Sequence, residues 1–235
     1  MQRVPGLAVI PARGGSRRVP GKNTRVLDGI PAVGHVIAAC QASTAFERIV
    51  ISTDDPGIAE VARNLGAEVP FLRPAELADD HTGILPVVQH AVHALDLAAS
   101  TPVACVYATA VTVDPVDLGG GLDQLIEAPG PVFIVSITEF DAPIQRALEM
   151  AVDGSVSFLD PSHSHTRSQD LPVRWHDAGQ FVWGRSGTWS EARSVWDSAL
   201  GFPVPHWRVI DVDTEDDWRR AELLLGALRG ANRDR

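Results

Sequence analysis

The sequence predicts an α/β fold whose core is a doubly wound, mainly parallel sheet, with a small inserted β-rich lobe. Three observations carry this reading. Short β-branched apolar runs alternate with segments of helical apolar spacing, the pattern of βαβ units. Clusters of Gly, Pro and Asp separate them. The texture then changes after about residue 139, where long apolar runs give way to polar side chains, and all six tryptophans lie beyond residue 174.

Taken in order, Leu7–Ile10 reads as a buried first strand that stops at Pro11. Residues 11–29 form a long Gly-, Pro- and Arg-rich loop. Ala32–Ala42 has helical spacing through Val33, Val36, Ile37 and Cys40. Arg48–Ser52 is a second strand, and Thr53-Asp54-Asp55-Pro56 a turn and helix start. A helix over Ile58–Leu65 closes at Gly66, and Glu68–Phe71 is a short strand. Leu85–Ala98 reads as an amphipathic helix and Val103–Tyr107 as a strand. Pro115–Glu127 is helical in pattern, although Gly119-Gly120-Gly121 weakens it. Val132–Thr138 is a strongly apolar strand. The inserted lobe, as a lid, is expected over about 139–185. Trp207–Val212 returns to strand, and Thr214–Leu228 is a final helix. This order is Rossmann-like, and one domain over 1–235 is expected.

Composition narrows the function classes. Hydrophobic residues are 45% and charged residues 21%, the proportions of a globular domain. No apolar run is long enough to span a bilayer. The first residues have too short an apolar core for a signal peptide. Two cysteines, Cys40 and Cys105, cannot form a disulfide framework or a zinc site alone. A soluble, cytoplasmic protein that engages no membrane is expected. The net charge is −10, which argues against a general nucleic-acid binder. Yet residues 1–27 hold Arg3, Arg13, Arg17, Arg18, Lys22 and Arg25 and no acid. A local basic cluster in an acidic protein suggests a small polyanionic ligand; a solvated basic tail is the alternative.

The cluster continues the first strand as Pro11-Ala12-Arg13-Gly14-Gly15-Ser16-Arg17-Arg18-Val19-Pro20-Gly21-Lys22-Asn23. In a parallel sheet, ligands gather at the carboxyl ends of strands. Glycines allow close backbone approach, and their N–H groups can cradle an anion. Arg13, Arg17 and Lys22 supply charge to meet phosphate oxygens. The spacing is not that of a P-loop, and no GxGxxG fingerprint is present. Lys22 is the only lysine in the chain.

PARGGSRRVPGKN resembles the N-terminal signature of the CMP-sugar synthetases, the acylneuraminate and related cytidylyltransferases. Ser52-Thr53-Asp54-Asp55, the stretch from Arg73 to Thr82, and Asp211-Val212-Asp213-Thr214-Glu215-Asp216-Asp217-Trp218 are similar to further motifs of that family, in order. Thr166–Pro172, His176–Gly184 and Pro143–Leu148 resemble its pseudaminate-activating branch. Two departures stand out: Arg17 replaces the usual lysine, and Ala108-Thr109-Ala110-Val111 replaces Pro-Thr-Ala-Pro. The resemblance implies a nucleotide-diphospho-sugar transferase type of sheet. It implies CTP and a nine-carbon 2-keto sugar acid as substrates, Mg²⁺ as cofactor, and a homodimer in which the lobe covers the neighbour's cleft.

Ala12, Arg13, Gly14, Gly15, Ser16, Arg17, Lys22 and Asn23 are expected to hold the nucleotide, and Arg73, Asp80 and Thr82 to sit near cytosine and ribose; loop capping is the alternative for these three. Arg13, Lys22 and Asp211 are the catalytic candidates. Asp211 and Asp213 alternate along a strand end, so both face one side, and hard oxygens suit Mg²⁺. From spacing alone, helix capping serves equally: Asp213 or Thr214 starts the last helix, and Asp217 completes a capping box with Thr214. Arg167 is the candidate for the sugar carboxylate. Gln169, His176, Asp177 and Gln180 are candidates for its hydroxyl and acylamino groups, against an internally satisfied lobe or a dimer contact. The pairs His90/His93 and His163/His165 lack a third ligand nearby. Three other readings remain. Asp211-x-Asp213 has the spelling of a metal-dependent glycosyltransferase. A non-catalytic binding module would bind CTP without turnover. Within the family, legionaminate or N-acetylneuraminate could replace pseudaminate.

Overall fold

The computed structural model describes residues 4–16 and 18–233; Arg17, a nucleotide candidate, lies outside them. A six-stranded sheet forms the centre. Its first strand, β1 (Gly6–Pro11), precedes the basic loop, which contains a two-residue hairpin of β2 (Val26–Leu27) and β3 (Ile30–Pro31). Then come α1 (Ala32–Ala42), β4 (Phe46–Ser52), α2 (Pro56–Asn64), α3 (Ile84–Ala94), β5 (Pro102–Val106), α4 (Pro115–Glu127) and β6 (Phe133–Glu139). A small antiparallel pair, β7 (Leu148–Met150) and β8 (Val156–Phe158), stands apart from the main sheet. The chain returns through β9 (Trp175–Arg185), α5 (Ser186–Glu191), β10 (Ala199–Pro203) and α6 (Glu215–Arg233). The strand order is β10-β6-β9-β5-β1-β4. β9 runs antiparallel to both neighbours, and the other pairings are parallel.

Side-chain alternation along β1 divides the core between the two faces. Ala8 and Ile10 pack with α1, α2 and α4, while Leu7 and Val9 pack with α3 and Trp189 of α5. Such two-sided burial is what near-continuous apolar strands demand. The glycine run does not break α4. A side chain at Gly121 would meet the rings of Trp183 and Phe181 at 2.7–2.8 Å, and one at Gly120 would meet Phe202 at 2.9 Å. The glycines let the helix lie directly on the sheet, which offsets their low propensity.

Four expectations need correction. The insertion is shorter than 139–185, because β9 belongs to the central sheet between β5 and β6; its polar start, Trp175-His176-Asp177, disguises a strand whose apolar run, Phe181-Val182-Trp183, comes later. Trp207–Val212 is no strand: a 3₁₀ turn (His206–Arg208) leads into an extended, unpaired segment, and β10 forms the sheet edge instead. Glu68–Phe71 contributes one bridge, Val50 to Glu68. The third helix ends at Ala94, where the chain turns through Asp96 at φ +47°.

Candidate active site

The strand order reverses around β1, and the carboxyl ends of β1, β4 and β5 open on one side. Loops there form two adjoining cavities. The smaller, about 180 Å³, is lined by Arg13, Ser16, Lys22, Asn23, Arg73 and Thr82, with Tyr107 on its wall. The larger, about 680 Å³, is lined by Glu139, Asp141, His176, Asp177, Asp211 and Arg220, and again by Tyr107.

The basic loop is a built structure. Val19 and Leu27 are buried against Val212, Trp218 and Ala221, which fastens the loop to α6. Arg25 lies 4.3 Å over the Trp218 ring and pairs with Glu215 at 2.7 Å. Asn23 is buried and donates through Nδ2 to the Arg13 carbonyl at 2.9 Å, so its side chain holds the loop's shape. The Ala12 amide continues the ladder to the Ser52 carbonyl at 2.9 Å. The Gly14 amide donates to Asp54 Oδ1 at 3.1 Å, and a side chain at Gly14 would meet Asp55 Oδ2 at 2.6 Å. Gly15 is exposed with open space beside it. The Ser16 hydroxyl is buried and finds no hydrogen-bond partner among the described residues. A buried polar atom of that kind is completed by a ligand or water.

Charge surrounds the smaller cavity. Arg13 Nη1 lies 2.5 Å from Asp80 Oδ1, so Asp80 holds Arg13. Arg73 is buried; it donates through Nε to Ser52 Oγ at 3.2 Å and through Nη2 to the Ser52 carbonyl. Thr82 gives its amide and hydroxyl to Asp79 Oδ1, at 2.6 and 2.7 Å. Loop support is therefore the visible work of Arg73, Asp80 and Thr82; Arg73 and Thr82 line the smaller cavity, and Asp80 reaches it only through Arg13.

At the other side, the capping question resolves. Thr214 and Asp217 cap α6 reciprocally: Asp217 Oδ2 accepts from the Thr214 amide at 2.9 Å, and the Asp217 amide donates to Thr214 Oγ1 at 3.2 Å. Asp211 has no hydrogen-bond or ion-pair partner among the described residues and opens into the larger cavity. Its carboxyl is held above the ordinary range, first by the protein packed around it and then by the neighbouring Asp213, with Lys22 opposing. Asp213 meets Arg18 at 2.8 Å and Lys22 at 3.3 Å. Buried Val212 between them keeps both acids on the cleft side. Two adjacent carboxylates, one of them without a hydrogen-bond or ion-pair partner among the described residues, fit a divalent cation. Mg²⁺ takes one or two carboxylates and completes its shell from phosphates and water. Among the described residues no group of three or more His, Cys, Asp or Glu side chains could hold a metal by itself.

The sugar candidates divide. His176 and Asp177 line the larger cavity. Gln180 is buried behind it in a bulge of β9, where Nε2 donates to the Arg208 carbonyl at 3.3 Å. Arg167 and Gln169 do not line it; Arg167 pairs with Asp170 at 2.9 Å on the lobe surface. Sequence reasoning missed Tyr107 and Arg220. Tyr107 directly follows a strand end and is the chain's one tyrosine, which was the available signal. Its hydroxyl stays protonated, because burial and the nearby Asp177 and Asp211 raise its pKa. Both thiols are buried and likewise raised, Cys40 to about 12, so neither offers a nucleophile.

A family model described as cytidylyltransferase matches residues 7–181. The pseudaminic acid cytidylyltransferase of Campylobacter jejuni subsp. jejuni serotype O:2 is 37% identical over 221 residues, which is 93% of this chain and 95% of that protein. The CMP-N,N'-diacetyllegionaminic acid synthase of Legionella pneumophila subsp. pneumophila is 52% identical, but over 82 residues, 35% of each chain. Among solved structures, a CMP:2-keto-3-deoxy-manno-octonic acid synthetase complexed with CTP superposes with a TM-score of 0.71 at 16% identity, covering 95% of this chain and 99% of that one.

Proposed function

The chain belongs to the cytidylyltransferase family, and from that premise we propose that it converts CTP and pseudaminate to CMP-pseudaminate and pyrophosphate. The anomeric hydroxyl oxygen of the acid bonds to the α-phosphorus. The bond from that phosphorus to the α,β-bridging oxygen breaks, pyrophosphate leaves with the electron pair, and the hydroxyl proton passes to water in the open cleft.

The observation that carries the reading is the pair of adjoining cavities that share Tyr107. The nucleotide occupies the smaller and the sugar acid the larger, so the reacting atoms meet at their seam. Both substrates are anions. Arg13 and Lys22 offset the triphosphate charge, and the Ser16 hydroxyl gains the partner it lacks. Asp211 and Asp213 would hold Mg²⁺, which when bound neutralises phosphate oxygens. Holding two reactants in line supplies much of the rate in phosphoryl transfer. His176 and Asp177 bind sugar hydroxyls. Pseudaminate as the acceptor rests on the 37% identity with a named pseudaminic acid enzyme over nearly the whole chain.

The reading extends to a homodimer acting in the cytoplasm. The pair β7 and β8 carries Leu148, Met150 and Val156 exposed, and a lone two-stranded pair is marginal in water. A second copy would cover it and bring Arg167 and Gln169 toward a neighbouring cleft.

The test is pyrophosphate release by the purified chain with Mg²⁺, crossing CTP, UTP, ATP and GTP with pseudaminate, legionaminate and N-acetylneuraminate. Release with CTP and pseudaminate is expected. Release with CTP and another acid would reassign the acceptor, and no release with any acid would overturn the reading.

A further inference from the structure

The acids Asp211 and Asp213 stand on a segment that pairs with no strand. From Val209 to Asp213 the backbone leaves the sheet, so no ladder fixes its place. Arg208, at its start, is instead held from three directions. Its guanidinium reaches Asp117 Oδ2 at 2.7 Å and Asp114 Oδ2 at 3.0 Å, and its side chain is only 11% exposed. Asp114 is itself fixed as the N-cap of α4, accepting from the Val116 amide at 2.8 Å. The Arg208 carbonyl accepts from Thr112 Oγ1 at 2.6 Å and from Gln180 Nε2 at 3.3 Å. One residue thus ties the loop after β5, the first turn of α4 and the bulge of β9 to the root of the acid-bearing segment.

We infer that Arg208 is a positioning residue for the metal-holding acids, acting through the Val209–Asp213 backbone and touching neither substrate. The inference rests on the proposed role of Asp211 and Asp213. A nearly buried ion cluster is a poor source of net stability, because desolvation offsets much of its attraction. It is a good source of fixed geometry: Nη2 hydrogen-bonds Asp117 and Nη1 is ion-paired to the helix-capping Asp114, which leaves the guanidinium little freedom. Groups that orient metal ligands from behind govern metal affinity in this way.

The experiment compares Arg208→Ala, Arg208→Lys, Thr112→Val and Asp211→Asn by two readouts. One is amide hydrogen exchange across residues 209–213. The other is the Mg²⁺ concentration giving half-maximal turnover, alongside the KM for CTP at saturating Mg²⁺. Arg208→Ala should speed exchange in 209–213 while β1, β4 and β5 stay protected. It should raise the half-activating Mg²⁺ about tenfold with the CTP KM little changed, and Arg208→Lys should recover part of the loss. Thr112→Val keeps both ion pairs and should move both readouts the same way, by less. A folded Arg208→Ala protein with wild-type exchange and Mg²⁺ response would overturn the inference. Should that variant not fold, Thr112→Val decides, and wild-type behaviour there overturns it equally. An Asp211→Asn protein that shifts its Mg²⁺ response while the Arg208 and Thr112 variants do not sinks the inference alone. An unshifted Asp211→Asn protein sinks the metal reading and the inference with it.

Discussion

Lys22 and Asp213 lie 191 positions apart in the chain, yet Lys22 Nζ sits 3.3 Å from Asp213 Oδ1. The same ammonium donates to the Val212 carbonyl at 3.0 Å. The loop after the first strand is thereby joined to the acids before the last helix. On the proposed function, a triphosphate bound beside Lys22 would compete with Asp213 for its charge and free Asp213 to hold the metal. Lys22→Ala should lower kcat/KM for CTP by about a hundredfold or more, the scale of losing one oxyanion-directed donor. Steady-state kinetics with CTP varied checks this, and an unchanged value would remove Lys22 from the site. Lys22→Arg should rescue poorly, since a fork does not reproduce a point charge.

Asp211 predicts a stability effect opposite to its catalytic one. Asp211 is exposed to the cavity, but the protein around its carboxyl and the neighbouring Asp213 raise its pKa, so the folded state holds that proton more tightly than the unfolded state. Its contribution to stability is then neutral below the ordinary Asp value and becomes unfavourable as pH rises from there through the raised value. Asp211→Asn should raise the Tm of the metal-free protein at pH 7 while lowering turnover and raising the Mg²⁺ that turnover requires. The Tm gain should shrink as pH falls below the ordinary Asp value. Thermal melts at several pH values measure it; a lowered Tm at pH 7 would contradict the electrostatic account.

Arg73 should behave as a structural residue first. Its guanidinium holds Ser52 at the end of β4 and approaches the Leu77 carbonyl at 3.4 Å. Arg73→Ala should cost on the order of 2–3 kcal/mol, the scale of charged hydrogen bonds lost in a buried place. Denaturant unfolding measures this. A stability within error of wild type would show that the buried guanidinium is dispensable to the fold.

Local pattern revealed what local chemistry governs. The extents of α1 and α4 follow from apolar spacing, the start of α2 from its Asp55-Pro56 cap, and β1, β4, β5 and β6 from β-branched runs. The basic loop was legible because its residues are contiguous. The rest depends on partners distant in sequence. β9 hides because Trp175-His176-Asp177 is polar where it borders the cleft, and only pairing with β6 reveals a strand. Likewise Asn23, Asp80 and Arg73 carry the residue types of ligand contacts, yet much of their bonding goes to neighbouring loops. Arg220 enters the larger cavity from the last helix, a placement set by the packing of Trp218 and Ala221 that no local motif records.

The lobe makes a prediction about assembly. Met150, 77% exposed, and Val156, 63% exposed, lie opposite each other on β7 and β8. The double substitution Met150→Asp, Val156→Asp should convert a dimer to a monomer in analytical ultracentrifugation, with the circular dichroism of the sheet domain preserved. A wild-type chain that sediments as a monomer at micromolar concentration would contradict the dimer. If the lobe also serves the neighbouring cleft, the monomer should lose affinity for the sugar acid more than for CTP.

A crystal of the protein soaked with CTP and Mg²⁺ bears most directly on where the chemistry happens. Density for the triphosphate against Arg13, Ser16 and Lys22, with a metal ion bridging it to Asp211, is the result this account requires. Nucleotide bound at any other place, with those three side chains still engaged as they are now, would contradict it.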